Sequence, residues 1–201
     1  MADGIETLVE EASRKAGRAV QNPRRLAAIE SSGLRDGEQS EVLDRLTALA
    51  RKLLGVPATF VSIVDGDCDV YLSHDGLPEP LATTRRLDGL TFCHLAISSP
   101  GPLVIPDTQA HPVYKQIPTV DSLGVAAYLG VPIRLPSGDV LGSFCAIDVE
   151  AHDWSATDVE VLVELASSAE REISLRGQLA LAKSEALTDL LTGLPNKRAF
   201  Q

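Results

Sequence analysis

Two adjacent apolar segments in the second half of the chain constrain its fold more than any other feature. In the first, every second residue is apolar: Val125, Ala127, Leu129, Val131, Ile133 and Leu135. This period of two predicts a β-strand. The turn sequence Pro136-Ser-Gly-Asp139 follows, and residues 140–148 are apolar on both faces. We therefore expect an antiparallel pair whose second strand lies in the centre of a sheet, and Pro132 predicts an edge segment or a bulge in the first strand.

Further strands are predicted on the N-terminal side of this pair. Residues 58–65 are rich in β-branched and aromatic side chains, and Asp65-Gly66-Asp67 is a turn sequence before a returning strand at 68–73. Residues 103–106 predict a short strand, and residues 91–98 a short helix or turn. Two longer segments, 74–91 and 107–124, lack periodicity, so we expect a surface loop and an irregular region there.

Apolar residues at helical spacing predict four helices, at about residues 5–20, 25–30, 39–54 and 156–190. The last begins at a capping-box sequence, Ser155-Ala-Thr-Asp158, and would be roughly 50 Å long. Its apolar residues Ala166, Ile173, Ala180 and Leu187 recur every seven positions. That repeat predicts a parallel two-stranded coiled coil. The alternative is a helix that folds back onto its own domain.

Composition narrows the class of protein. The chain has 201 residues, 44% hydrophobic and 23% charged, which is enough for one sizeable core. Its net charge of −10 argues against a nucleic-acid partner. The chain contains no run of 18 apolar residues, which a membrane span would require, and the N-terminus lacks an apolar signal core. We therefore expect a cytoplasmic protein. The cysteines Cys68, Cys93 and Cys145 are expected to be reduced there.

Several short segments occur in the order found in one protein family. They are Arg24-Arg-Leu-Ala-Ala-Ile29, Leu54-Gly-Val-Pro57, Val61-Ser-Ile-Val-Asp65, Phe92-Cys93, Leu103-Val-Ile-Pro-Asp107, His111-Pro112, Tyr128-Leu-Gly-Val-Pro-Ile133 and Leu141-Gly-Ser-Phe-Cys-Ala-Ile-Asp148. Together they resemble GAF domains of bacterial signalling proteins over residues 24–171. The resemblance implies an α+β fold with a central antiparallel sheet of five or six strands and long terminal helices. The terminal helices would cover one face of the sheet, and residues 74–124 would wall a pocket on the other.

The last fourteen residues carry a second resemblance. The sequence from Thr188 to Gln201 contains D-x-L-T-G-L-P-N-K-R-x-F, which is similar to the opening of GGDEF domains, the catalytic module of diguanylate cyclases. Asp189 and Asn196 match its opening motif, and a helix-turn-helix corner is the alternative. The two resemblances imply four parts: an N-terminal helix at 1–23, the GAF sensor domain at 24–171, a signalling helix linker at 172–187 and the start of a truncated GGDEF domain at 188–201.

The resemblances imply a regulatory sensor or dimerisation domain that controls a diguanylate cyclase, which joins two GTP molecules into cyclic di-GMP. The catalytic hairpin and its acidic metal strand are missing, so we expect no catalytic residue in this chain, and Mg²⁺ and GTP only in the missing domain. We expect a homodimer formed through the terminal helices. One alternative is a ligand-free dimerisation module coupled to a degenerate, non-catalytic GGDEF domain. Another is a haem or thiol redox sensor.

A small-molecule ligand is the second expected partner. Candidate pocket residues combine apolar bodies with polar tips: Phe60, Ser62, Tyr71, Phe92, His94, Tyr114 and Tyr128. The alternative is a closed core. The histidines lack metal-ligand spacing, so no metal site is predicted. Cys93 lies too far before the strand at 127–132 to match the bilin attachment of phytochrome-type GAF domains, and we expect it to be a buried packing residue.

Overall fold

The computed structural model of the protein describes residues 14–32, 39–66 and 68–187. The helices are α1 (residues 14–20), α2 (Pro23–Ser31), α3 (Glu41–Leu54), α4 (Leu81–Thr84), α5 (Phe92–Ala96), α6 (Pro118–Ser122) and α7 (Ala156–Leu187), with a 3-10 turn at Tyr114–Gln116. The strands are β1 (Ala58–Asp65), β2 (Cys68–Asp75), β3 (Arg86–Asp88), β4 (Leu103–Ile105), β5 (Ala127–Arg134) and β6 (Val140–Asp148).

The six strands form one sheet in the order β3-β2-β1-β6-β5-β4, and every neighbouring pair is antiparallel. This confirms the predicted α+β fold, both predicted hairpins and the central position of β6. Pro132 lies beyond the part of β5 that pairs with β4, which ends at Gly130. The register of β5 against β6 becomes irregular directly after it, between Ile133 and Arg134. Of the two predicted alternatives, the edge segment is therefore confirmed at Pro132, and the irregularity lies just beyond it.

The two faces of the sheet carry two separate apolar cores. On β1, Phe60 and Val64 point to one core, while Val61 and Ile63 point to the other. Helices α2, α3 and α7 cover the second core. The first, which we call the pocket-side core, is covered by the segment from Leu77 to Leu123. The prediction that residues 74–124 cover the face opposite the long helices agrees with this arrangement.

The prediction that the terminal helices cover the same face of the sheet is wrong for the described part of α1, which lies on the face opposite α2, α3 and α7. Ala16 and Val20 of α1 are buried in the pocket-side core. Arg25 fixes this position, because its guanidinium donates to the carbonyls of Ala19 at 3.0 Å and Val20 at 2.8 Å, at the end of α1. The same group donates to the Val64 carbonyl and, at 3.1 Å, to that of Leu141, on neighbouring strands. Arg25 thus ties α1 to one end of the sheet.

Two segments expected to be irregular contain short elements. The predicted loop at 74–91 holds α4 and the edge strand β3, which pairs with β2 from Cys68 to Val70. The predicted irregular region at 107–124 holds the 3-10 turn and α6. These elements are three to five residues long. Such lengths are too short to show a period of two or 3.6, so tertiary contacts determine them.

Helix α7 is long, as predicted, and its first half packs on its own domain. The side chains of Leu162, Ala166, Ala169 and Ile173 are buried in the core beneath α7. Over this half, the alternative prediction of a helix that folds back onto its own domain is therefore confirmed, rather than the coiled coil. Further along, Leu175 is 56% exposed and Leu179 is 61% exposed. The predicted capping box is present, since the Asp158 carboxylate accepts from Ser155 N at 2.8 Å and Ser155 Oγ accepts from Asp158 N at 3.1 Å.

The predicted start of a GGDEF domain at 188–201, with Asp189 and Asn196, lies outside the described residues, as do residues 1–13 of the predicted N-terminal helix. Within the described part of the chain, no helix combines the length and the apolar character needed to cross a bilayer.

Candidate functional site

A small cavity lies inside the pocket-side core, between the sheet and the segments that carry α5 and α6. Its volume is about 20 Å³, which is room for one water molecule. The lining residues are Phe60, Tyr71, Leu77, Thr91, Phe92, Cys93, Thr119, Leu123, Val125, Tyr128 and Ile147. The hydroxyl of Thr119 has no hydrogen-bond partner among the described residues, so a water molecule here would satisfy a buried polar group.

Four of the eleven residues that line this cavity are aromatic. Phe92 stacks on Tyr128 with ring centroids 5.1 Å apart, and Phe60 meets Tyr71 edge-on at 5.1 Å. The position of Tyr128 depends on Gly130, because a methyl group at Gly130 would overlap the tyrosine ring. The absence of a side chain at Gly130 therefore leaves the space that the Tyr128 ring occupies at the cavity wall.

The structure brings four of the seven predicted pocket residues, Phe60, Tyr71, Phe92 and Tyr128, to the cavity. The other three, Ser62, His94 and Tyr114, are close to it but are not part of its lining. Ser62 is buried, and its hydroxyl has no hydrogen-bond partner among the described residues, while Tyr114 packs against Phe92 with ring centroids 6.3 Å apart. His94 turns back to the start of its own helix, where its Nδ1 accepts from Thr91 N at 3.3 Å.

Two thiols meet beside the cavity. Cys93 Sγ on α5 lies 3.8 Å from Cys145 Sγ on β6. Cys145 Sγ also lies 3.0 Å from the hydroxyl of Tyr128 and 3.0 Å from that of Ser143. Both cysteines are buried, which confirms the predicted burial of Cys93. The two hydroxyls hold Cys145 Sγ in one place.

A buried carboxyl group completes the polar part of the site. Asp69 on β2 is fully buried, and its Oδ2 accepts a 2.6 Å hydrogen bond from the Thr91 hydroxyl. Thr91 Oγ1 in turn accepts from Cys93 N at 3.1 Å, as the N-cap of α5. His94 Nδ1 lies 3.7 Å from Asp69 Oδ1. Asp69 and Thr91 therefore connect strand β2 to the start of α5.

Burial dominates the electrostatics of this site. Loss of solvent raises the pKa of Asp69 well above its ordinary value, and the neighbouring Cys93 thiol contributes to the increase. Burial likewise raises the pKa of Cys93, Tyr71 and Tyr128. The protonated, neutral forms are therefore favoured around the cavity. Such an arrangement suits binding of a small neutral group or simple packing, and it does not favour general-base catalysis.

The sequence-based pocket list left out Asp69, Thr91, Thr119 and Cys145. A signal for Asp69 was present, because it lies two residues before Tyr71 on the same strand and must share its face. The pairing of Cys145 with Phe60 across β1 and β6 gives the same kind of signal once the register is known. Thr119 belongs to a short helix without periodicity and could not be found in this way. Among the described residues, no group of three or more His, Cys, Asp or Glu side chains is arranged to hold a metal ion.

The family of the chain follows from this fold together with a sequence match. The family model described as GAF domain matches residues 38–173. The chain belongs to the GAF domain family. Among solved structures, the fold is similar to the blue-light absorbing form of the PixJ GAF domain of Thermosynechococcus elongatus. The two are 17% identical with a TM-score of 0.57, over 76% of this chain and 93% of that one. At that identity the similarity concerns the fold alone.

Two curated relatives are similar in sequence to parts of this chain. The diguanylate cyclase DgcP of Escherichia coli is 36% identical over 86 residues, which is 39% of this chain and 25% of that protein. The cyclic di-GMP phosphodiesterase PA2567 of Pseudomonas aeruginosa is 27% identical over 179 residues, or 88% of this chain and 29% of that protein. The GAF chain thus spans less than a third of either relative.

Proposed function

We propose that this GAF domain is the regulatory part of a diguanylate cyclase and transmits the state of its pocket-side core through α7. Both curated relatives carry names from cyclic di-GMP metabolism. The sequence of residues 188–201 resembles the opening of a GGDEF domain. This resemblance favours synthesis of cyclic di-GMP over its hydrolysis. In this proposal the GAF domain itself binds no cofactor, and Mg²⁺ and GTP belong to the catalytic domain that follows in the cytoplasm. The division at residues 24, 171 and 187 remains a prediction.

The observation that carries this proposal is the continuity of α7. The helix is 32 residues long, and its first half is part of the core beneath the sheet. The same rigid element then continues past the domain toward residue 188. A shift of the sheet or of its core therefore moves the helix as a unit, and the helix delivers that movement to whatever follows.

Dimerisation is the second part of the proposal. Leu175 and Leu179 lie four residues apart on one side of α7, and both are more than half exposed. Residues at this spacing are neighbours on a helix surface. We propose that they meet their counterparts in a second copy, which would place two catalytic domains side by side to join two GTP molecules.

One observation favours the alternative of a ligand-free interaction module coupled to a degenerate GGDEF domain. The cavity of about 20 Å³ holds a water molecule but no metabolite. In this second candidate the pocket-side core is closed packing, and the chain serves to hold two copies together.

Turnover by the complete gene product separates the two candidates. We would incubate it with Mg²⁺ and GTP, and in parallel with cyclic di-GMP. The proposal predicts cyclic di-GMP from GTP. Nucleotide binding without turnover would support the alternative, and hydrolysis of cyclic di-GMP alone would contradict the assignment as a cyclase.

A further inference from the structure

The thiols of Cys93 and Cys145, beside the cavity, lie close enough for a small movement to allow a disulfide between them. Cys93 and Cys145 are 52 residues apart in sequence, on a helix and on a strand, yet their sulfurs are 3.8 Å apart. A disulfide requires about 2.05 Å, so the sulfurs need to approach by roughly 1.8 Å. Cys93 lies on α5, whose five residues are all buried, so this approach also shifts the contacts that α5 makes in the pocket-side core.

The cavity places space for a small molecule next to one of the two sulfurs. Cys93 is part of the cavity lining, whereas Cys145 lies behind it. The volume of about 20 Å³ exceeds the roughly 10–15 Å³ that one water molecule needs. Hydrogen peroxide, which has one oxygen atom more than water, is among the smallest two-electron oxidants of thiols, so it requires the least additional space beside Cys93. Larger oxidants, such as a disulfide of glutathione, do not fit.

The position of the Cys145 sulfur is fixed by neighbouring side chains. The hydroxyls of Tyr128 and Ser143, each 3.0 Å from Cys145 Sγ, fix it next to Cys93. The third cysteine differs in this respect. The Cys68 thiol donates to the Asp65 carbonyl at 3.4 Å, near the β1–β2 turn, and it is not part of the cavity lining.

We propose that hydrogen peroxide converts Cys93 and Cys145 into a reversible intramolecular disulfide. The Cys93 sulfur gives up its proton and attacks one peroxide oxygen; the O–O bond breaks, and the products are a sulfenic acid and water. The Cys145 sulfur then attacks the Cys93 sulfur, the S–S bond forms, and the hydroxyl leaves as water with the Cys145 proton. In total, two thiols lose two electrons and two protons to one peroxide, which becomes two water molecules.

The geometry and burial predict how this site behaves. Burial raises the pKa of the Cys93 thiol, so the thiolate is scarce at neutral pH and oxidation becomes faster as the pH rises. The bond would join α5 to β6, and the accompanying movement of α5 would shift Phe92, which stacks on Tyr128. Oxidation would therefore alter the same aromatic wall that closes the cavity. This site is independent of the proposed cyclase function, since it requires only residues of the GAF domain.

Thiol counting on the 201-residue chain tests the proposal. We would treat the protein with hydrogen peroxide, unfold it in N-ethylmaleimide and measure its mass. Wild type should retain one labelled cysteine, Cys68→Ser should retain none, and a peptide joining residues 93 and 145 should appear. Dithiothreitol should restore the remaining labels. In Cys145→Ser, which lacks the second thiol, the sulfenic acid at Cys93 should be trapped by dimedone added during unfolding.

Three outcomes would overturn the proposal. One is full labelling of all three cysteines in wild type after peroxide treatment. Another is a disulfide that includes Cys68 or joins two chains. The third is an oxidation rate of Cys93 that does not increase with pH. Wild type alone supplies each of these readouts, so the test does not depend on whether a variant folds.

Discussion

At the scale of single residues, the protonation of Asp69 depends on the fold, because its side chain is fully buried. Burial raises its pKa well above the value of about 4 that it has in an unfolded chain. Between these two values the unfolded state has released its proton while the folded state still holds it. The free energy of unfolding therefore falls as the pH rises from about 4 toward the pKa of the folded state.

Replacing Asp69 with asparagine removes this dependence. The amide keeps the shape of the side chain and can still accept from the Thr91 hydroxyl, but it does not ionise. We expect the stability of Asp69→Asn relative to wild type to increase as the pH rises above about 4. Urea unfolding at a series of pH values measures this difference. Asp153→Asn, at an exposed position, is the control, and a difference that stays constant or decreases with pH would contradict the account.

Gly130 gives a second test at this scale. Its lack of a side chain leaves room for the Tyr128 ring, which is almost fully buried and stacked on Phe92. We expect Gly130→Ala to displace that ring and lower the free energy of unfolding by about 1–3 kcal/mol. Gly101→Ala is the matched control, because no atom lies within 4 Å of the added methyl group. Equal urea midpoints for the two variants would show that the ring does not depend on Gly130.

At the scale of elements, sequence patterns predicted the elements that are long enough to show a period. Strand β5 alternates over eight residues, and α3 carries helical spacing over fourteen, so both could be found. Strand β4, with only three residues, could be found from its apolar composition, whereas β3, which contains two charged residues among three, could not. The shift in register between β1 and β2 after Val61 could not be predicted from the sequence either, because it arises from pairing between strands. The aromatic part of the site was predictable for the same reason as the strands, whereas the Cys93–Cys145 contact required the packing of α5.

The junction between the N-terminal helices and the sheet depends on one buried cation. Arg25 is 4% exposed and bonds four main-chain carbonyls, and burial lowers its pKa to about 10. Its neighbour Arg24 instead forms a surface ion pair with Asp139. We expect Arg25→Ala to cost about 3 kcal/mol, because buried carbonyls lose their donors, and Arg24→Ala to cost less than about 1 kcal/mol.

Denaturant unfolding of the two arginine variants measures these costs. Amide hydrogen exchange of residues 14–20 should increase in Arg25→Ala and remain unchanged in Arg24→Ala. Equal costs, or protection of α1 that survives the loss of Arg25, would show that the apolar contacts of Ala16 and Val20 hold the helix without the cation.

At the scale of the whole molecule, the exposed leucines of α7 test the proposed dimer. We expect the double variant Leu175→Glu with Leu179→Glu to weaken dimerisation at least tenfold, or about 1.4 kcal/mol, because two carboxylates replace apolar contacts. Val149→Glu is the control, since Val149 is 58% exposed but lies outside α7. Sedimentation of the 201-residue chain measures the effect. A wild-type chain that is monomeric at all concentrations would contradict this part of the proposal.

The central claim is that α7 passes a signal from the GAF domain to a catalytic domain, and changes in its length test it most directly. Two residues inserted after Gly177 rotate the distal half by about 200°, whereas seven residues restore its orientation to within about 20°. The measurement is the rate of cyclic di-GMP synthesis by the complete gene product. The account predicts a several-fold change for the two-residue insertion and a rate near wild type for the seven-residue insertion. Equal rates for all three proteins would contradict it.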